Sequence, residues 1–251
     1  MDDAQLLRYS RHILLDELGT GAQARFAAAH ALIVGMGGLG APAAQFLAAA
    51  GVGTLTICDA DHVDLTNLQR QILYATADIG APKVDAAAQR IAAINPDVRV
   101  VRVGRRVGPA DLSPRVAAAD VVLDCSDNFA TRHAVNAACV AAGRPLVSGA
   151  ALRFDGQVAV FDPRDAASPC YHCLFGEGEE LEETRCATMG VFAPLVGIVG
   201  STQAAEALKL LAGVGRSLAG RLLLVDARTM EWRSLRVPRD PACPVCARRP
   251  A

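Results

Sequence analysis

The most specific chemical signal in this 251-residue sequence is a pair of cysteine hooks. Cys170-Tyr171-His172-Cys173 and Cys243-Pro244-Val245-Cys246 are two C-x-x-C motifs separated by a long stretch of chain. One hook places two thiolates on one metal ion, and two hooks complete a tetrahedral four-sulfur site with no open position. Such a site is structural, and it would pin the C-terminal tail to the middle of the chain. Zn²⁺ is the first candidate. A redox dithiol needs only one hook, and an iron–sulfur cluster would use the same four ligands. His172, between two of the ligands, reads as a bystander.

A second signal is Gly35-Met36-Gly37-Gly38-Leu39-Gly40, which fits G-x-G-x-x-G directly after an apolar run and before an alanine-rich stretch. Glycines at Gly35, Gly37, Gly38 and Gly40 let the backbone approach a phosphate, and the following helix N-terminus offers free N–H groups. Asp59 ends the next apolar run, where a carboxylate can accept hydrogen bonds from ribose hydroxyls. A dehydrogenase would show the same turn, and a purely structural glycine turn is the alternative. The polar stretch from Asp61 to Gln71, including Asn67 and Arg70, follows at the edge where open α/β sheets bind ligands.

Lys83 begins a helical pattern just after Gly80-Ala81-Pro82. A cation at a helix N-terminus opposes the helix dipole. The chain contains only two lysines, Lys83 and Lys209, among otherwise arginine cations. A phosphate contact accounts for Lys83; a solvated surface lysine is the alternative. Asp124, Asp127 and Asn128 cluster after a further apolar run. Asp127 suits Mg²⁺, which at nucleotide sites commonly takes one or two carboxylates plus phosphate oxygens. Asp124 could instead be a structural cap. Cys58, Cys125 and Cys139 fall on apolar faces and read as core residues.

The elements that must position these groups follow from periodicity. Residues 2–29 read as helical, with Leu6, Leu7, Ile13, Leu14, Leu15 and Leu18 forming an apolar face. Short apolar runs predict strands at Ala31–Val34, Thr54–Cys58, Arg99–Val103, Val121–Asp124 and Pro145–Ser148. Helices are expected from the glycine turn to about Ala50, over Lys83–Ile94 with Asn95-Pro96 as its stop, and over Thr131–Ala142. This alternation predicts an α/β fold, a Rossmann-like doubly wound sheet that is parallel in its first half. An antiparallel continuation is expected from Gln157–Phe161 and from a hairpin of Arg221–Val225 with Glu231–Val237. Residues 168–190 read as a loop, and Ser201–Leu211 as a helix. With no linker and no repeat, residues 1–251 are expected to form one composite domain. It comprises N-terminal helices (1–29), a nucleotide-binding half (30–150) and a second half (151–251) carrying the cysteine hooks.

Composition narrows the function further. Hydrophobic residues make up 52% and charged residues 20%, which excludes a disordered chain. A net charge of −1 gives no reason to expect nucleic acid as a partner. Asp2 and Asp3 stand where a secretory signal would be basic, and the uncharged stretches are broken by Gly, Pro and Gln. A soluble cytoplasmic protein with no membrane association is expected.

Arg8-Tyr9-Ser10-Arg11, the Gly35–Gly40 turn, Asn67-Leu68-Gln69-Arg70-Gln71, Pro82-Lys83 and Asp124-Cys125-Ser126-Asp127-Asn128 together resemble the ThiF/MoeB/HesA family. Its members are bacterial relatives of ubiquitin-activating enzymes, and the resemblance runs from about Leu6 to Cys246. It is closer to the ThiF branch, through Arg8–Asp16 and Trp232-Arg233-Ser234-Leu235, with the MoeB branch as sister. The resemblance implies ATP-dependent adenylation of the C-terminal glycine of a ubiquitin-like sulfur carrier protein. That carrier would be ThiS-like and serve thiamine thiazole biosynthesis; the alternative is MoaD-like, the small subunit of molybdopterin synthase. A terminal carboxylate, with a pKa of ~3.5, is already ionised and needs no general base. The site must instead bring two anions together. By resemblance, Arg70 and Lys83 supply positive charge and Asp127 holds Mg²⁺. Arg11 reaches a phosphate in the partner's site of a homodimer, where residue type alone would suggest a surface salt bridge. Zn²⁺ is the implied occupant of the four cysteines. Cys186, beside Arg185, is the implied sulfur-transfer cysteine, covalently linked to the carrier; a free loop thiol is the alternative. No rhodanese-like extension follows Cys246, so a separate sulfur donor protein is expected. Val191–Leu195 could hold the carrier tail or pack in the core. An NAD-dependent oxidoreductase would share the glycine turn, but no His or Tyr–Lys arrangement for hydride transfer is evident.

Overall fold

In the computed structural model, which describes residues 1–176 and 189–247, the N-terminal segment is three short helices and not one continuous face. These are α1 (Asp3–Arg8), α2 (Ser10–Ile13) and α3 (Gly19–Ala28). The break falls at Tyr9, whose ring is buried and whose hydroxyl accepts a 2.8 Å hydrogen bond from Asn95 Nδ2. Turning Tyr9 inward turns its neighbours outward: Leu7 is 78% exposed and Leu14 71%. Of the expected apolar face, Leu6, Leu7, Leu14 and Leu15 are exposed, while Leu18 is partly buried in the cluster around Phe26.

The next elements form the sheet. β1 (His30–Val34), β2 (Thr54–Cys58), β3 (Arg99–Val103), β4 (Val121–Asp124) and β5 (Leu146–Leu152) run parallel in the order β3-β2-β1-β4-β5. β6 (Asp155–Phe161), β7 (Arg221–Asp226) and β8 (Glu231–Arg236) continue it antiparallel into one eight-stranded sheet. All six residues of β8 are exposed, and Glu231, Arg233 and Arg236 put charge on this open edge.

Strands covered on both faces read as unbroken apolar runs. In β1, Ala31 and Ile33 pack to one side, and Leu32 and Val34 to the other. The first side is covered by α4 (Gly40–Ala49), α5 (Lys83–Ile94) and a long helix from Ala193 to Ala212. The second is covered by α6 (Pro109–Ala118) and α7 (Phe129–Ala142). The short α8 (Tyr171–Leu174) packs its Tyr171 on the second side, and the Ala193–Ala212 helix is α9.

The short α8 falls within residues 168–190, which read as a loop, and two longer helices also differ from the sequence expectation. α6 is additional; with Pro109 at its start and Pro114 inside, its local pattern lacks a helical signature. α9 starts eight residues before Ser201 because Pro194 lies in its first turn, where no N–H is needed. Leu195 of this helix is fully buried, which assigns it to the core, whereas Phe192 is 41% exposed and stacks on Phe154. By length and composition α9 could cross a membrane, but it is a core helix packed against α4, β5 and β6.

The strand order reverses beside β1: the chain moves outward through β2 and β3, then returns to place β4 on the other side. In open α/β sheets the crevice at such a reversal, at the carboxyl ends of the strands, is the ligand site. Here that crevice lies between the Gly35 turn after β1 and the Asp124–Asn128 loop after β4.

Candidate nucleotide site and four-cysteine centre

The glycine turn is pressed against β4. Gly35 has φ +94°, and a Cβ there would lie 2.6 Å from the Cys125 carbonyl oxygen. A Cβ on Gly40 would lie 1.9 Å from the Gly35 carbonyl oxygen. Both clashes are with backbone, so these two glycines are needed for the turn itself. Gly38 is tight against the Val196 side chain, at 3.1 Å. Gly37 differs: its nearest neighbour would be Gln71 Nε2 at 3.5 Å, an ordinary contact. The fold does not require glycine at 37, whereas close approach of a phosphate would. Gly37→Ala is therefore expected to leave the Tm within ~2 °C while weakening ATP binding at least about tenfold, and Gly40→Ala to unfold the turn. Calorimetric titration beside a melting curve separates the two; unchanged affinity in a folded Gly37→Ala protein would return the turn to a structural role.

Met36, inside the turn, is held at both backbone polar groups. Its N–H donates to Asp59 Oδ2 at 2.7 Å, and its carbonyl accepts from the Tyr74 hydroxyl at 2.8 Å. Burial raises the Tyr74 pKa and keeps the phenol protonated as a donor. The other Asp59 oxygen accepts from the Asp61 N–H at 2.8 Å. Asp59 thus joins the glycine turn to the polar loop that follows β2.

That loop folds back on the start of α5. Val63 N donates to Ala81 O, Gly80 N to Val63 O, and Lys83 N to Asp61 O, each at 2.9 Å. Lys83 is drawn in with it and is 5% exposed, which overturns the solvated-lysine alternative. Its Nζ donates to Asp61 Oδ2 at 3.0 Å, while the Asp61 side chain stays 67% exposed. An ammonium has three donors, and this partner uses one of them. The other lysine, Lys209, is tied to Glu206 and to the Arg216 carbonyl near the end of α9.

Asn67 and Arg70 belong to one tight turn. Asn67 Oδ1 accepts from Asp64 N at 3.3 Å, and the half-buried Arg70 donates from Nη1 to Thr66 O at 3.1 Å. Gln71, bonded through its N–H to Asn67 O, brings this turn against Gly37. On the other wall, Asp127 is exposed, and Asn128 caps α7 by accepting from Thr131 N at 2.9 Å. Asp124 is fully buried and accepts from Ser126 N, Ser126 Oγ and Ser148 Oγ. It is the structural cap of the two readings. Gly35, Gly37, Gly38, Gly40, Asp59, Asp61, Asn67, Arg70, Lys83, Asp127 and Asn128 therefore all lie along one sheet edge. Arg11 does not join them: it is exposed and makes no hydrogen bond or ion pair among the described residues. Cys186 lies outside the described residues.

The four remaining candidate ligands converge. Cys170, Cys173, Cys243 and Cys246 have all four Sγ atoms within 4.8 Å of one another. Neighbouring sulfurs are 3.9 Å (Cys170–Cys173), 3.7 Å (Cys170–Cys243) and 3.5 Å (Cys173–Cys246) apart. A tetrahedron with metal–sulfur bonds of ~2.3 Å has edges of about 3.8 Å, so the cluster could hold one metal ion. Cys58, Cys125 and Cys139 are different. Burial pushes the Cys58 thiol up to about 12 and raises the other two, leaving them protonated core residues.

Three contributors were not marked by residue type or spacing. Tyr74 pins the glycine turn; Gln203 of α9 donates to Asp124 O at 2.8 Å; and Arg132 of α7 donates to Ser126 O at 2.9 Å. Their only sequence signal is polarity within otherwise apolar helical or loop stretches.

A glycine turn at the reversal point of a parallel sheet, flanked by recruited cations, places this protein among the open α/β proteins that hold a nucleotide at that crevice. The ThiF family matches residues 9–245, and the chain belongs to it. It is 47% identical over 246 residues to the sulfur carrier protein ThiS adenylyltransferase of Escherichia coli K12, covering 98% of this chain and 97% of that protein. It is 45% identical over 249 residues to the molybdopterin-synthase adenylyltransferase of the same strain, covering 98% of each. Among solved structures, E. coli MccB with ATP shares the fold at a TM-score of 0.85 and 24% identity, over 95% of this chain and 73% of that one.

Proposed function

We propose that this protein uses ATP to adenylate the C-terminal glycine of a ubiquitin-like sulfur carrier protein. The observation that carries this reading is the buried ammonium of Lys83, set beside a glycine turn that only a close ligand requires to be glycine at position 37. In the reaction a carboxylate oxygen of the carrier attacks the α-phosphorus of ATP. The bond from that phosphorus to the bridging oxygen breaks, and pyrophosphate leaves with the electron pair. No proton has to move, so the residues needed are cations and backbone donors.

Lys83 and Arg70 take the phosphate oxygens, Asp59 and Asn67 the nucleoside side, and Asp61 holds Lys83 in register. Asp127, with Asn128 beside it, would hold Mg²⁺, which when bound would supply charge opposite the pyrophosphate. Arg11 serves the site of a second copy. Its exposure without an ion pair among the described residues, next to the exposed Leu7, Leu14 and Leu15, supports a homodimer built through this end of the chain. Zn²⁺ closes the four-cysteine centre as a structural ion. The two halves act as one composite domain, with the second half receiving the carrier. Cys186 takes part in sulfur transfer from a separate donor protein, and the reaction runs in the cytoplasm.

A ThiS-like carrier is the first reading and a MoaD-like carrier the second, favoured by the 45% identity to the molybdopterin-synthase enzyme. Exchange of labelled pyrophosphate into ATP, measured with each carrier in turn, tests both. Exchange that requires one carrier and its terminal glycine is expected. Exchange with neither, or nicotinamide turnover in its place, would overturn the proposal.

A further inference from the structure

One face of α7, half-buried to buried and mostly polar, joins the two centres described above. Asn128, Arg132, Asn136 and Val140 are spaced by four residues and so share one helix face, extending over ~18 Å. Asn128 caps the helix at the nucleotide edge, and Val140 packs on the cysteine cluster at the far end. Between them, Arg132 donates from Nη2 to Ser126 O at 2.9 Å, and its Nε lies 3.9 Å from Asp124 Oδ2. Both side chains are nearly inaccessible, at 11% and 1% exposure. One turn later Asn136 donates from Nδ2 to Cys170 Sγ at 3.6 Å and accepts at Oδ1 from the Tyr171 N–H at 2.9 Å. The fully buried Tyr171 lies within electrostatic reach of the Arg132 guanidinium and completes the path.

The geometry points to Arg132 as a positioning residue that couples the four-cysteine centre to the Ser126-Asp127-Asn128 loop, so that nucleotide at the loop and metal at the centre hold each other in place. This rests on the reading of that edge as a nucleotide site and of the cluster as a metal centre. The physical basis is the small freedom of a buried charged network. Asp124 accepts from Ser126 at both its N–H and hydroxyl, Arg132 neutralises Asp124, and the same guanidinium fixes the Ser126 carbonyl. A planar fork can hold the carbonyl and the carboxylate together, which an ammonium does less well. If the cysteine hook opens, Cys170 and Tyr171 shift, Asn136 loses both partners, and the face of α7 that orients Arg132 is released. Coupling of two bound states through one element is reciprocal, so nucleotide must also retain the metal.

The test is the rate at which purified zinc-loaded protein gives Zn²⁺ to a chromophoric chelator, with and without a saturating non-hydrolysable ATP analogue and Mg²⁺. Wild-type protein is expected to release metal about fivefold or more slowly with the analogue present. Arg132→Lys is expected to release it at nearly the same rate in both conditions, at analogue concentrations that saturate each protein. A residue with a merely structural role would accelerate release equally in both arms and leave the ratio unchanged. Asn136→Ala cuts the same path at its metal end and carries the test if Arg132→Lys does not fold. A ratio near one in wild-type protein that binds the analogue by calorimetry would sink the coupling alone. A wild-type ratio retained in the variants would remove Arg132 from it. Absence of analogue binding would take down the nucleotide reading and the coupling together.

Discussion

Lys83→Ala is expected to lower carrier-dependent pyrophosphate exchange by about 10²–10³-fold, the usual loss for one pre-organised donor in a charge-stabilising site. Lys83 is 5% exposed, so its ammonium is held without a full water shell and without the rotamer freedom of a surface lysine. It opposes the dipole at the start of α5, and Asp61 returns only part of that cost because the Asp61 side chain is 67% exposed. The same exposure makes the substitution tolerable for folding. Asp61 left alone is solvated, so the stability loss is expected near 1 kcal/mol, or ~2–4 °C in Tm for a chain of this size. Lys83→Arg is not expected to restore exchange, because the guanidinium is larger than the ammonium that this nearly buried position holds. Exchange within about threefold of wild type in a folded Lys83→Ala protein would assign Lys83 to the fold alone.

The other large effect is expected at the four-cysteine centre. Cys170 and Cys243 lie 73 residues apart in sequence, as do Cys173 and Cys246, and their sulfurs meet although neither hook belongs to a strand of the sheet. Closing a loop of that length covalently stabilises a protein by about 2–4 kcal/mol, and a metal closes it in the same sense. Removal of metal by a chelator, or Cys246→Ser, is therefore expected to lower the Tm by roughly 5–15 °C. The segment from Pro238 onward should become sensitive to protease at the same time. Arg239, which donates to Ala166 O at 3.0 Å and to Cys246 O at 2.7 Å, would retain part of the tail's attachment. Native mass spectrometry should find one metal ion per chain, absent in Cys246→Ser. A chain with no metal and an unchanged melting curve would show that the cluster is a thiol core.

How much of this was legible in the sequence follows from the range of the forces involved. Thr54–Cys58, Arg99–Val103, Val121–Asp124 and Lys83–Ile94 match the structure to the residue. Each is an uninterrupted local pattern with a local stop, such as Asn95-Pro96 after α5. The two C-x-x-C hooks and the glycine turn were equally legible, because metal chelation and close backbone approach each depend on residues only a few positions apart. The N-terminal leucines were misread for the opposite reason. Their periodicity is helical, but the face turned inward is chosen at Tyr9 by Asn95, 86 residues away. Pro194 reads as a break but stands in the first turn of α9, because proline is a local stop only where an N–H is required, and that depends on where the helix begins.

The residue types on the glycine turn, in the 61–71 loop and in the two hooks were thus sufficient to say which chemistry is available, since donors, cations and thiolates are properties of side chains. Tertiary structure alone decided which of them are exposed and which are locked. It buried Lys83 against Asp61, withdrew Asp124 into the core, left Gly37 as a glycine of the turn that the fold does not need, and ran the Arg132–Asn136 ridge between the two centres. Burial and hydrogen bonding are sums over neighbours distant in sequence, and no local pattern carries them.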